Sequence, residues 1–95
     1  MDFKEQYVKH HTDNVVSVSI HAHLPLLVTG SEDATVILFD LMTSPPSIQH
    51  TFEDHANAVC DVAFHPNQPL LATASHDKTA IIYDLSTSPP TIQHA

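Results

Sequence analysis

The stretch His11–Leu41, HTDNVVSVSIHAHLPLLVTGSEDATVILFDL, is echoed 44 positions later by His55–Leu85, HANAVCDVAFHPNQPLLATASHDKTAIIYDL. The echo runs on into TSPPSIQH at Thr43–His50 and TSPPTIQH at Thr87–His94. Roughly half of the aligned positions from His11 to His50 are identical, far above chance for unrelated segments. A period of this length marks one repeated supersecondary unit, and every other feature takes its meaning from its place in that unit.

Within each unit the apolar residues alternate or run in short blocks. Val16, Val18 and Ile20 alternate with Ser17 and Ser19, and Ala58, Cys60, Val62 and Phe64 fall on one face of an extended chain. LLVTGS and LLATAS follow, then TVILFD and TAIIYD. These blocks are too short for helices, rich in β-branched residues, and buried on both faces if extended. Pro25 and Pro69 mark the first connections, SED and SHD the second, and TSPP the third, where proline cannot continue a ladder. A weaker fourth strand is expected at Ile48–Phe52. The expectation is an all-β chain with four short antiparallel strands per unit and no helix between them.

Several residues recur at fixed offsets. His11 and His55 open the first strand, Thr29 and Thr73 lie in the second, and Asp33 and Asp77 follow in a tight turn. Phe39-Asp40 and Tyr83-Asp84 end the third strand. In these positions the chain resembles the WD-repeat family, whose units are four-stranded blades of a β-propeller. It departs from the family pattern at the signature Trp, replaced by Phe39 and Tyr83. It departs again at the Gly before the opening His, replaced by His10 and Asp54.

The resemblance implies two four-stranded antiparallel propeller blades, as part of a β-propeller or as a subunit of an oligomeric one. Residues 1–10 are then an outer strand of a preceding or closing blade. Residues 11–54 are the first WD-like repeat, and residues 55–95 are the second, with its fourth strand truncated. TSPP becomes the loop that carries the chain to the outer strand, and its duplication points to recent copying, since loops diverge fastest. Ser44 and Ser88 stand before prolines either in a rigid loop or as sites of proline-directed phosphorylation.

The resemblance also implies a buried structural network of His11, Thr29, Asp33 and Phe39, repeated as His55, Thr73, Asp77 and Tyr83. It ties the entry of the first strand to the turn. Phe39 cannot supply the donor of the lost indole, and Tyr83 does so only where its longer reach is accommodated. Hydroxyl, imidazole and carboxylate have the composition of a catalytic triad. The hydroxyl is engaged by the network, however, and the sequence has no Gly-rich loop or nucleophile elbow for an oxyanion site. No catalytic residue is assigned, and the chain is not expected to be an enzyme.

Composition bounds the remaining functions. At 95 residues the chain holds one small domain at most, with a marginal core. Eleven Asp and Glu against three Lys and no Arg give a formal charge of −8, which repels nucleic-acid backbones. No stretch has signal-peptide or membrane-spanning character, so the expectation is an intracellular protein, cytoplasmic or nuclear, without nucleic-acid or membrane partners. Cys60 is the single cysteine, which excludes an intrachain disulfide; aligned with Val16, it is expected to be a small buried apolar residue.

Nine histidines raise the question of metal, above all HAH at His21–His23 and the pair His10-His11. Zinc requires three or four converging ligands, and the second unit reads HPN where the first reads HAH. Surface loop histidines are expected, with no metal site and no cofactor, and they make association sensitive to pH near neutrality.

The expected function is a protein–protein interaction scaffold with a rigid loop platform. By family analogy its contact positions are Asp13 and Asn57 beside the opening His, and Glu32 and His76 before the turn Asp. The negative charge favours a basic protein or peptide partner. The alternatives are a fragment of a larger propeller with no separate activity and, from the histidines, a metal-binding or hydrolytic protein. Two blades leave two apolar faces open, so the chain is not expected to persist as a folded monomer; a homo-oligomer joined head to tail through the N-terminal strand would complete the ring.

Overall fold

The computed structural model describes residues 10–95. Its strands, in chain order, are β1 (Val15–Ile20), β2 (Leu26–Ser31), β3 (Val36–Asp40), β4 (Ser47–Phe52), β5 (Val59–Phe64), β6 (Leu70–Ser75), β7 (Ala80–Asp84) and β8 (Thr91–His94). They form two four-stranded sheets, ordered β1-β2-β3-β4 and β5-β6-β7-β8, with every neighbouring pair antiparallel. The fold is all-β, with no helix among the described residues. The expected strand over residues 1–10 lies, apart from His10, outside the described residues.

Connections are short because the turn chemistry is local. In the β2–β3 and β6–β7 turns Ala34 and Lys78 respectively adopt φ 73°, the left-handed conformation a tight reversal requires. In the β3–β4 and β7–β8 loops Thr43 and Thr87 each donate a hydroxyl hydrogen bond to the carbonyl two residues on, at 3.0 Å, to Pro45 and Pro89 respectively.

The sheets pack face to face. Leu26, Val28, Val36 and Leu38 of the first sheet meet Val59, Val62, Leu71, Ile81 and Tyr83 of the second, with Phe52 of β4 closing one side. Phe52 and Tyr83 meet with ring centroids 4.2 Å apart and planes tilted by 44°. Gly30, the only glycine, lies at the closest approach. A Cβ there would stand 2.8 Å from Val59 Cγ1 and 2.9 Å from Val62 Cγ1, so a side chain cannot be added without moving two stiff, buried valines. Between the inner strands, Ser17 and Ser19 accept hydrogen bonds from the backbone of Val62 and Phe64 at 3.2 and 3.3 Å. β1 and β5 therefore run side by side in the same direction.

The structure corrects two readings of the strands. A β-bulge interrupts the register between Val15 and Ser17, and another between Val59 and Asp61. The bulge adds a residue to one strand and resets which side chains share a face. Ala58, Cys60, Val62 and Phe64 therefore do not line one face; Val59 and Val62 are buried while Cys60 is exposed rather than a core residue. The third strands also differ. β3 is buried on both faces, whereas Ala80 and Ile82 of β7 lie on a face that none of the described strands covers.

Candidate interaction site

Each sheet places its opening His against the turn between its second and third strands, β2–β3 or β6–β7. His11 Nδ1 lies 3.0 Å from Asp33 Oδ2, and its Nε2 lies 2.7 Å from the Thr29 hydroxyl. His55 stands at the same 3.0 and 2.7 Å from Asp77 and Thr73. A carboxylate only accepts, so Nδ1 carries the proton and Nε2 accepts from the threonine. The same aspartate oxygen accepts the backbone N–H of Thr12 or Ala56 at 2.9 Å. The network thus staples the segment before the first strand to the turn after the second.

Four further residues complete it. Thr35 and Thr79 donate both their hydroxyl and their backbone N–H to the second oxygen of Asp33 and Asp77. Ser31 and Ser75 accept the aspartate backbone N–H at 3.1 and 3.0 Å, and their hydroxyls donate to the segment before the first strand. The sequence carried a signal for them, since SEDAT and SHDKT repeat Ser, Asp and Thr at the same spacing.

These donors set the charge state. Burial pushes the Asp33 carboxyl up, but the Thr35 hydroxyl and amide, the Thr12 amide and the His11 ring outweigh it and hold its pKa at about 2, below the ordinary 3.8. The Thr79 hydroxyl holds Asp77 lower still, against desolvation and with help from the Ala56 amide and His55. Both aspartates are anions throughout the physiological range.

Phe39 and Tyr83 stand outside this network. Tyr83 is buried, and its hydroxyl donates to Asp54 Oδ2 at 2.7 Å rather than reaching Thr73. Burial and then Asp54 raise the phenol pKa well above its usual value. Phe39 meets the His10 ring at a tilt, with ring centroids 5.6 Å apart. The two departures from the family pattern are therefore partners in space. The residue before each opening His meets the aromatic that ends the third strand, through a hydrogen bond in one blade and a ring contact in the other.

The network's chemistry is structural. Thr29 and Thr73 are buried, so their hydroxyls present no surface to a substrate. Among the described residues no group of three or more His, Cys, Asp or Glu is placed to hold a metal ion. His21 is buried rather than a surface loop residue: Nδ1 accepts the N–H groups of His23 and Leu24, and Nε2 donates to the Gln68 carbonyl of the second sheet at 3.0 Å. Both its ring nitrogens are committed. His23 is exposed, its ring 6.3 Å from that of His21.

Asp13, Glu32, Asn57 and His76 are all exposed. Asp13 precedes β1 and Glu32 follows β2, and the pairing of Val15 with Ser31 puts them at one end of the first sheet. Asn57 and His76 flank the Val59–Ser75 pair in the same way. Because β1 and β5 run in one direction, all four positions share one end of the molecule. Backbone bonds fix them: Glu32 N donates to Asn14 O and His76 N to Ala58 O, both at 2.9 Å. Asn14 Nδ2 also donates to the Glu32 carboxylate at 3.0 Å.

A family model described as "WD domain, G-beta repeat" matches residues 3–40 and 46–84. No curated protein sequence matches the chain. Among solved structures, the crystal structure of Saccharomyces cerevisiae Sqt1 is similar at a TM-score of 0.85 and 23% sequence identity, over 93% of this chain and 24% of that one. The chain spans about a quarter of the length of that structure, and the likeness is one of fold.

Proposed function

The chain belongs to the WD-repeat family, and from that premise we propose that it acts as an interaction scaffold whose platform is the end of the sheets carrying Asp13, Glu32, Asn57 and His76. Proteins of this family generally bind other proteins and in general are not catalysts. The partner is a protein or peptide segment with basic side chains. The observation that carries this reading is the gathering of the four exposed positions at one end, each set by a strand whose entry is stapled to an ionised turn aspartate. A platform already fixed before binding loses little conformational freedom on contact. Its carboxylates draw a cationic partner in and orient it.

The test is titration of the chain with a fluorescent Lys/Arg-rich peptide and with an acidic peptide of equal length. Asp13→Lys combined with Glu32→Lys should weaken the basic peptide by about tenfold or more and flatten its salt dependence. Asp40→Lys, at the opposite end, should leave affinity within about twofold. Equal binding of both peptides, or an equal loss from the Asp40 change, would remove the platform.

The uncovered sheet face favours a second reading at the level of assembly. The chain is a section of a larger array of blades, its open face covered by further copies of itself or by another polypeptide.

A further inference from the structure

The contact between the two sheets shows how a blade of this chain receives its neighbour. The first sheet offers Leu26, Val28, Gly30, Val36 and Leu38, and the second fills that face with Val59, Val62, Leu71, Ile81 and Tyr83. The repeat carries the receiving positions forward to Leu70, Ala72, Ala74, Ala80 and Ile82. All five are exposed or half-buried.

The free face is not a replica of the occupied one. In a second copy docked in the same way, Val15 and Val18 take the places of Val59 and Val62. Val59 and Val62 clear Gly30 only because it has no Cβ, and Ala74, which Val15 and Val18 would meet, has one. Elsewhere the fit fails in the opposite sense. Ala72 and Ala80 lack the methyl groups that Val28 and Val36 put into the core, and the incoming Ile20 is smaller than Phe64. Interiors are close-packed, and such a contact would be crowded at one point and hollow at several.

The rim of the free face retains a docking donor. His21 and His65 occupy equivalent places, and each uses Nδ1 to accept two loop N–H groups. Nε2 therefore carries the proton in both. His21 spends it on the Gln68 carbonyl of the next blade, and His65 is exposed at the corresponding position.

We infer that the free face of the second blade is an interaction surface for a blade other than this chain's own first one. The occupant is an apolar antiparallel sheet with small residues where Val59 and Val62 stand, larger side chains over Ala72 and Ala80, and a loop carbonyl for His65. The inference rests on the reading of the chain as a section of a blade array.

Sedimentation velocity on the full chain tests it, with far-UV circular dichroism to confirm folding. Wild type should form no oligomer of defined mass. Ala72→Val/Ala74→Gly/Ala80→Val, which gives the free face the side chains of the occupied one, should assemble head to tail into a species of defined mass. Val18→Ala/Ile20→Phe, which instead adapts the incoming blade, should shift association the same way, so the proposal does not depend on one variant folding. A wild-type trimer or tetramer forming as readily as the triple variant would overturn the inference and leave the array reading intact. Cooperative, monodisperse monomers of every variant would reject the array reading itself, and the inference with it.

Discussion

In the first blade the His11 ring stands 3.0 Å from Asp33 and 2.7 Å from Thr29, and in the second His55 repeats both distances to Asp77 and Thr73. The sheet faces do not repeat in this way: Val28, Gly30 and Val36 of one blade become Ala72, Ala74 and Ala80 of the other. Every partner in a turn network lies within the same repeat, so a copied unit brings its network along complete. A sheet face is half of an interface, and its side chains answer to whatever packs against it. Between the blades the turn networks are accordingly kept, while the receiving face keeps only Leu26, as Leu70, among its five positions.

The largest expected effect is a loss shared by both blades. His55→Ala leaves the Asp77 carboxylate and the Thr73 hydroxyl without their partner, at a cost of about 1–3 kcal/mol in chemical denaturation. His11→Ala should fall in the same range, because its bonds have the same lengths. A marked inequality would mean that the networks, though alike in geometry, do unlike work.

Acid should act on the same feature. A carboxyl whose folded pKa lies below its unfolded value stabilises the fold above the unfolded pKa, and that contribution fades as pH falls through the folded one. For Asp33 the window runs from 3.8 down to about 2. The denaturation midpoint should therefore drop over that range. Thr35→Val, which removes the hydroxyl bond that most lowers the Asp33 pKa, should move the drop to higher pH. An acid limb that stays in place in this variant would separate the ionised aspartate from stability.

Much of this was legible in the sequence, and the reasons for the rest are specific. The period exposed His11, Thr29 and Asp33 because all three recur with their spacing intact, and four strands followed from the apolar blocks and their prolines. The bulges at Val15/Ser17 and Val59/Asp61 were not legible, since alternation along one strand carries no record of its partner's register. Cys60 was misplaced for that reason. His21 was misread because the acceptor that buries it, the Gln68 carbonyl, belongs to the other blade. The pairing of Asp54 with Tyr83 could be seen only once residues 29 apart in the chain were brought together.

A smaller difference between the blades sits at that pair. Tyr83→Phe removes the bond to Asp54 and should cost about 0.5–1.5 kcal/mol, the usual net worth of one hydrogen bond. Phe39→Tyr in the first blade should stabilise only when combined with His10→Asp, which supplies the missing acceptor. A double-mutant cycle reads the coupling directly, and an additive result would show that the two positions meet without interacting.

The claim that faces belong to their neighbours, while turns belong to the blade, is tested most directly by exchanging one methyl group between equivalent positions. Gly30→Ala drives a Cβ into Val59 and Val62 and should lose about 1–3 kcal/mol by equilibrium denaturation, the range for overpacked cores. Ala74→Gly, at the same place in the other blade, should lose no more than about 1 kcal/mol, the strand cost of glycine alone. Equal, small losses from the two changes would contradict the account, because the sheets would then not meet at Gly30 as closely as their side chains require.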